Sequence, residues 1–359
     1  MTKSQAESSR GLAAVLLAAG KSTRMKTDLP KVMHEVCGKP MLGHVLDACR
    51  DAGIEKFYVV VGFAKDAIIQ AYDQQPGVNF VEQTEQKGTG HAVMMCREAL
   101  AGFSGDCVVI AADMPLVNAE TLKNLITAHR AATASASLAT TVLDDPTGCG
   151  RIIRDGKGEF TGIVEHRDCS PAQLKITEVN PSYYCFDAEA LFTSLDKITP
   201  NNAKGEYYIT DTLSILRGEG KRVVAPVKLP AEDATGINSR AELAMVNGLM
   251  QRRIQAAWME SGVSIVDPSN TWIECDAQIG RDTVIRPFTF IERGASIGAG
   301  CTVGPFSHVA AGLSAADNTT IGPSATGGFD AAANRMTSQQ TSKRTVQVVR
   351  RPPASSGCP

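Results

Sequence analysis

From residue 273 to residue 309 an aliphatic side chain recurs at every sixth position: Ile273, Ile279, Ile285, Ile291, Ile297, Val303 and Val309. An α-helix would scatter these positions around its axis, and a flat strand this long would need apolar residues at every second position. A six-residue stride is instead the signature of a parallel β-helix, in which each step makes one side of a triangular coil and the aliphatics stack inside. The stride lapses at Ala315 and returns at Ile321, and Gly280, Gly298, Gly304 and Gly322 directly follow aliphatic members. A short repeat domain over 262–325, of about three coils, is expected. The repeat fixes an architecture and is silent on chemistry.

The residues before it follow another rule. Apolar runs at 14–20, 56–62, 79–83 and 107–113 alternate with helical patterns at 40–53, 65–74, 88–100 and 119–132. Strands apolar on both faces with helices between them imply a parallel sheet covered on both sides. Ligands of such sheets bind beyond the C-terminal strand ends, where Gly20, Gln83 and Asp113 all fall. After residue 140 the pattern is mixed. Residues 239–261 read as a connecting helix, with Leu243, Val246, Met250, Ile254 and Trp258 forming one apolar face. From Thr326 the period is lost among polar residues, Pro and Gly, so 326–359 reads as a disordered tail.

Composition excludes some functions. With 359 residues the chain has room for about two domains. A net charge of -2 argues against a general nucleic-acid binder, though not against a small anionic substrate. None of the ten cysteines forms a CxxC pair, so a zinc ribbon or thioredoxin-like site is not expected, and reduced thiols fit a cytoplasmic protein. The apolar run at 12–19 is too short for a membrane span and leads straight into a motif, so no membrane association or cleaved leader is expected.

That motif begins "AAGKST", like the end of a phosphate-binding P-loop. A P-loop needs Gly five residues before its last Gly, and that position holds Val15, so the P-loop reading fails. Continued, the stretch is "LLAAGKSTRMKTDLPKVMHEVCGKPM", and it is followed in order by "EQKGTGHAV", "DMPL", "DDPTGCGRIIRD", "GIVEHRD", "NAKGEYYITD" and "GIN". This series resembles the uridyltransferase half of the bacterial bifunctional N-acetylglucosamine-1-phosphate uridyltransferase / glucosamine-1-phosphate acetyltransferase family. The resemblance runs from about residue 12 to the start of the hexapeptide domain. It implies an α/β fold: a Rossmann-like nucleotidyltransferase domain with a mostly parallel sheet over 11–238, then a short left-handed parallel β-helix. It also implies Mg2+-dependent transfer of UMP from UTP to N-acetylglucosamine 1-phosphate, and a homotrimer formed through the β-helix.

Nucleotidyl transfer needs no protein nucleophile, because a sugar phosphate oxygen attacks the α-phosphorus directly. Catalysis is then positioning and charge stabilisation. By resemblance, Leu17, Ala18, Ala19 and Gly20 form the turn that the nucleotide approaches, and Arg24 and Lys31 meet the triphosphate. Gln83, Gly88 and Thr89 bind the base, Gln83 with an amide that offers both a donor and an acceptor. Asp113 and Asn238 hold Mg2+, whose preference is for oxygen ligands. Ala112, Gly150, Glu165, Asn180, Tyr208 and Asn238 contact the sugar phosphate. His34, His44, His91 and His166 lie in or beside motifs but no step needs a titrating base, so they are read as structural.

The chain departs from the family pattern in three places. Ala112 stands where Gly usually precedes the metal Asp. Asn180 is followed by Pro181 and Ser182 rather than Thr-Gly, which leaves open a different sugar 1-phosphate. The family's Asn-Tyr-Asp-Gly segment is absent, so acetyl transfer is not expected. A catalytically inactive nucleotide-sugar-binding scaffold is the other alternative. It predicts losses at Arg24, Lys31, Asp113 or Asn238, and all four are present.

Overall fold

A computed structural model describes residues 10–21 and 23–323, together with two strands at 326–330 and 335–337. The chain divides into two units, residues 1–250 and 251–359.

The first unit is built on a ten-stranded sheet. Four parallel strands stand in the order Val78–Glu82, Lys56–Val61, Gly11–Leu17, Gly105–Ala111. Chain order therefore reverses between Gly11–Leu17 and Gly105–Ala111, the switch point at which α/β sheets bind ligands. Beyond it the sheet becomes mixed. Tyr183–Asp187 runs antiparallel between Gly105–Ala111 and Ala136–Val142. Glu178–Asn180, Gly150–Arg154 and Phe160–Val164 continue the antiparallel half, and Val223–Lys228 pairs parallel with Ala136–Val142.

Alternation along the central strands sends side chains into two cores. Ala14, Leu16, Val59, Val61, Val108 and Ile110 pack on one face, against the helices Met41–Asp51, Lys65–Tyr72 and Ala119–Ala131. Ala13, Val15, Tyr58, Val60, Cys107 and Val109 pack on the other, with Thr89–Met94, Ala188–Leu195 and Thr210–Gly218. The pattern expected at 88–100 yields only six helical residues. After Met94 the regular ladder breaks up: three-residue bonds, Cys96 N to Val93 O (3.0 Å) and Arg97 N to Met94 O (3.1 Å), mix with a four-residue one, Leu100 N to Cys96 O (2.9 Å). Among the described residues the cysteines form no disulfide, and no helix is long and apolar enough to cross a membrane.

Two helices end in one geometry with different residues. After Met41–Asp51, Gly53 at φ +89° donates to Arg50 O (2.8 Å) and Ile54 to Cys49 O (3.0 Å). After Ala119–Ala131, Thr133 at φ +48° donates to Arg130 O (2.9 Å) and Ala134 to His129 O (3.1 Å). Both are Schellman ends, whose left-handed residue favours Gly, and a β-branched side chain is strained there. Thr133 is exposed and buries nothing that Gly would lose. Thr133→Gly is expected to stabilise the protein by about 1 kcal/mol. Thermal unfolding checks this: Tm should rise by about 2–4 °C, and an unchanged or lower Tm contradicts it.

The helix Arg240–Glu260 begins in the first unit and ends in the second. In the second unit, two-to-three-residue strands form three parallel ladders, and most partners lie eighteen residues apart: Ile279 with Ile297, Ile285 with Val303, Ile291 with Val309. Three six-residue steps thus close one coil. All seven aliphatics of the stride are buried, and Ala315, where the stride lapses, keeps its place in the ladder beside Ile297. A methyl group there shortens the core without interrupting the coil.

The first coil's open edge is covered by a device invisible to periodicity. Gln255 Nε2 donates to Thr271 O (2.7 Å) and Pro268 O (3.0 Å), while Ile273 N donates to Gln251 Oε1 (3.1 Å). Two buried glutamines thereby satisfy backbone groups that a coil edge would leave unpaired. At the other end, residues 326–330, expected within the tail, instead form a strand pairing with His308 and Val309, and 335–337 pairs back on it. The ladder continues past the last aliphatic because backbone pairing needs no side-chain period. The remainder of the expected tail lies outside the described residues.

Candidate active site

The C-terminal ends of the parallel strands open onto a cavity of about 410 Å³. Twelve of the expected site residues line it: Leu17, Ala18, Ala19, Gly20, Lys31, Gln83, Gly88, Thr89, Asp113, Glu165, Asn180 and Tyr208. A Cβ at Gly20 would enter open space, so glycine here leaves backbone bare toward the cavity. The loop after Val78–Glu82 is tied to this turn by Gln86 Nε2, which donates to Ala19 O (2.6 Å).

Lys31 opens a single helical turn, Lys31–Met33, placed by Pro30. Its ammonium forms an ion pair with the Asp113 carboxylate and donates to Asn238 Oδ1 at 3.0 Å. Asn238 does not line the cavity but reaches it through this contact. Its segment is held at the sheet end by Ile237 N, which donates to Asp113 O (3.0 Å), and by Asn238 N, which donates to Glu242 Oε2 (2.6 Å). Ala112 is buried, its N–H bonded to Leu17 O (3.1 Å), and it is not among the residues lining the cavity. Arg24, on the turn Thr23–Met25, is exposed and outside the cavity lining. Ser22, within the expected turn, lies outside the described residues.

Gln83 is 4% exposed. Its Nε2 lies 3.1 Å from Gly88 O and 3.0 Å from His91 Nδ1. One N–H of the amide is thus spent on Gly88 O, and the other meets His91 Nδ1 when that nitrogen carries no proton, so that Oε1 is then the atom left for a ligand.

The antiparallel strands supply another group. Gly150 pairs with Asn180 across the sheet, and a Cβ on Gly150 would stand 3.4 Å from both Glu165 carboxylate oxygens. Gly150 thus packs behind Glu165 without lining the cavity. Asn180 Nδ2 donates to Tyr184 Oη (2.6 Å), and its Oδ1 accepts from Ser182 N (3.1 Å). The Pro181-Ser182 turn is held by this side chain, with Ser182 at φ +67°. Buried Arg151 braces the loop before it, donating to Pro146 O (2.7 Å) and lying 3.3 Å from His166 Nδ1. Burial, reinforced by nearby acidic groups, pushes the Tyr208 phenol up to about 12.

Burial also raises the Glu165 carboxyl above its ordinary value, partly offset by a hydrogen bond from Thr210 Oγ1 (3.2 Å) and by the charge of Lys204. Because the folded state disfavours the charge, its penalty is fully present above the raised value and vanishes below the unfolded one. Glu165→Gln should therefore be more stable than the parent at neutral pH, with the gap closing in acid. On the expectation from sequence that Glu165 contacts the sugar phosphate, the same change should raise KM for that ligand about tenfold or more, as an acceptor oxygen is lost. Unfolding at several pH values and steady-state kinetics check both; a variant less stable than the parent at neutral pH contradicts the first.

Sequence reasoning missed Gln86, Ser182, Tyr184, Lys204, Glu206 and Thr210 among the lining residues. Lys204, Glu206 and Thr210 lie within or beside the quoted "NAKGEYYITD", so the motif pointed at them without assigning any.

A family model for a MobA-like NTP transferase domain matches residues 14–177, and one for bacterial transferase hexapeptide repeats matches 276–311. The bifunctional protein GlmU of Clostridium tetani is 44% identical over 274 residues, covering 76% of this chain and 60% of that protein. GlmU of Pelotomaculum thermopropionicum is 46% identical over 279 residues, covering 77% of this chain and 60% of that protein. The chain thus spans about 60% of the length of the curated relatives it matches. Among solved structures, UDP-glucose pyrophosphorylase complexed with UDP-glucose aligns with a TM-score of 0.56 and 20% identity, over 68% of this chain and 99% of that one. At that identity the likeness is one of fold.

Proposed function

We propose, for a chain that belongs to the GlmU family by its nucleotidyltransferase domain and hexapeptide repeats, that the cavity transfers UMP from UTP to N-acetylglucosamine 1-phosphate. A phosphate oxygen of the sugar attacks the α-phosphorus of UTP, the bond to the bridging oxygen breaks, and pyrophosphate leaves with its electron pair. The observation that carries this reading is the meeting of Lys31, Asp113 and Asn238 beside the glycine turn at the switch point. Lys31 would neutralise charge growing on the phosphates. Gln83 would receive the base, and Glu165, Asn180 and Tyr208 the sugar.

The donor set suits Mg2+. A carboxylate and an amide oxygen already converge on one cation, the Lys31 ammonium, and such hard oxygens, completed by water and phosphate, are what magnesium takes. Asp113 and Asn238 would hold it, and when bound it would supply charge neutralisation on the phosphates. Self-association as a trimer through the repeat domain is supported by two stacked, exposed rings, Phe288 (53%) and Phe306 (60%), 5.0 Å apart.

The sugar is tested by a panel of N-acetylglucosamine, glucose and glucosamine 1-phosphates with UTP. The highest kcat/KM is expected for the N-acetylated sugar. Preference for another would keep the reaction and reassign the substrate to the Asn180-Pro181-Ser182 turn.

A further inference from the structure

The Gln83 amide is buried in the cavity wall with its oxygen toward no protein donor: among the described residues Oε1 has no hydrogen-bond partner. Its orientation is set from the other end. The Gly88 carbonyl can only accept, so it must face Nε2. His91 Nδ1, 3.0 Å from the same nitrogen, completes the lock if its proton is on Nε2, leaving the Nδ1 lone pair to accept. Turning the amide over would set two oxygens against each other at Gly88 and break the bond to His91.

We propose that His91 is a positioning residue which, with the Gly88 carbonyl, fixes the Gln83 amide so that the nucleobase meets an acceptor alone. This rests on the uridylyl-transfer reading of the cavity. An acceptor at that place pairs with the N3–H of uracil. Cytosine has the same shape, but its N3 is a bare acceptor, and two acceptors facing each other in a buried site are left unpaired. The lock therefore separates two pyrimidines that size cannot separate. His91 touches neither reacting atom; it acts through Gln83.

The test compares kcat/KM for UTP and CTP, with the sugar phosphate saturating, in the parent, His91→Phe and His91→Asn. Phe keeps a ring and removes the acceptor; Asn offers an acceptor without a tautomer. The UTP/CTP ratio should fall about tenfold in His91→Phe, the loss falling on KM for UTP rather than on kcat, and should return to within about threefold of the parent in His91→Asn. An unchanged ratio in His91→Phe overturns the proposal. Should that variant fail to fold, 15N NMR of histidine-labelled parent protein decides: an Nε2–H tautomer at His91 supports the lock, and an Nδ1–H tautomer overturns it. A parent with no preference for UTP over CTP would defeat the uridylyl reading itself, whereas a preference retained in His91→Phe defeats only the role of His91.

Discussion

Asp113→Ala is expected to lower kcat on the order of 10³-fold while leaving the fold intact. The carboxylate stands just past the end of the central strand Gly105–Ala111, where its charge meets Lys31 and, through it, Asn238. Removing it takes away the one anionic oxygen of the proposed metal pair and leaves the Lys31 ammonium with an amide partner alone. The backbone at this position loses nothing, because Asp113 O accepts from Ile237 N whatever the side chain. Tm should therefore stay within about 3 °C of the parent. Pyrophosphate release at saturating substrate, read beside a melting curve, separates the two effects. A kcat within about tenfold of the parent would remove Asp113 from the machinery.

Gly88→Ala should damage both stability and nucleotide binding. Gly88 adopts φ +107° and ψ 175°, a region open essentially to glycine alone. An added Cβ would lie 2.5 Å from Tyr207 O and 3.0 Å from Tyr207 N. Those backbone atoms cannot swing aside. Tyr207 N donates to Lys87 O (2.7 Å), and Gly90 N donates to Tyr207 O (2.8 Å), so the two segments are laced together at the point of collision. Forcing them apart is expected to cost about 3 kcal/mol, lowering Tm by about 6–12 °C in a domain of this size. It would also displace the carbonyl that orients Gln83, raising KM for UTP by about tenfold or more. A Tm within about 2 °C of the parent would show that the loop accommodates the methyl group.

What the sequence disclosed follows from which constraints are periodic or local. The seven aliphatics between Ile273 and Val309 announced their coil because an interior stacked every six residues writes that period into the sequence. Gly20, Gln83 and Asp113 were legible as one site because parallel strands deliver their C-terminal ends to one edge. The direct contacts that complete each group were not legible locally: Lys31, Asp113 and Asn238 were brought to one site only by the family resemblance. Lys31 meets Asn238 across 207 positions, and nothing local to either signals the meeting. Gln83 read as a residue with a free donor and a free acceptor, since only tertiary structure brings the Gly88 carbonyl and His91 onto its nitrogen. Arg24 follows the glycine turn in sequence, yet the turn Thr23–Met25 leaves it exposed, outside the cavity lining. Gln251 and Gln255 sit on a helix whose apolar pattern ranks them as polar-face residues, and they are buried because an open coil edge needs their amides.

The most direct test is pyrophosphate release from UTP and N-acetylglucosamine 1-phosphate, assayed with both substrates, with each alone, and with magnesium chelated. Release that needs both substrates and the metal, matched mole for mole by UDP-N-acetylglucosamine, is the expected result. Release from UTP alone, or none with both substrates and magnesium present, would contradict transfer between two ligands held in this one cavity.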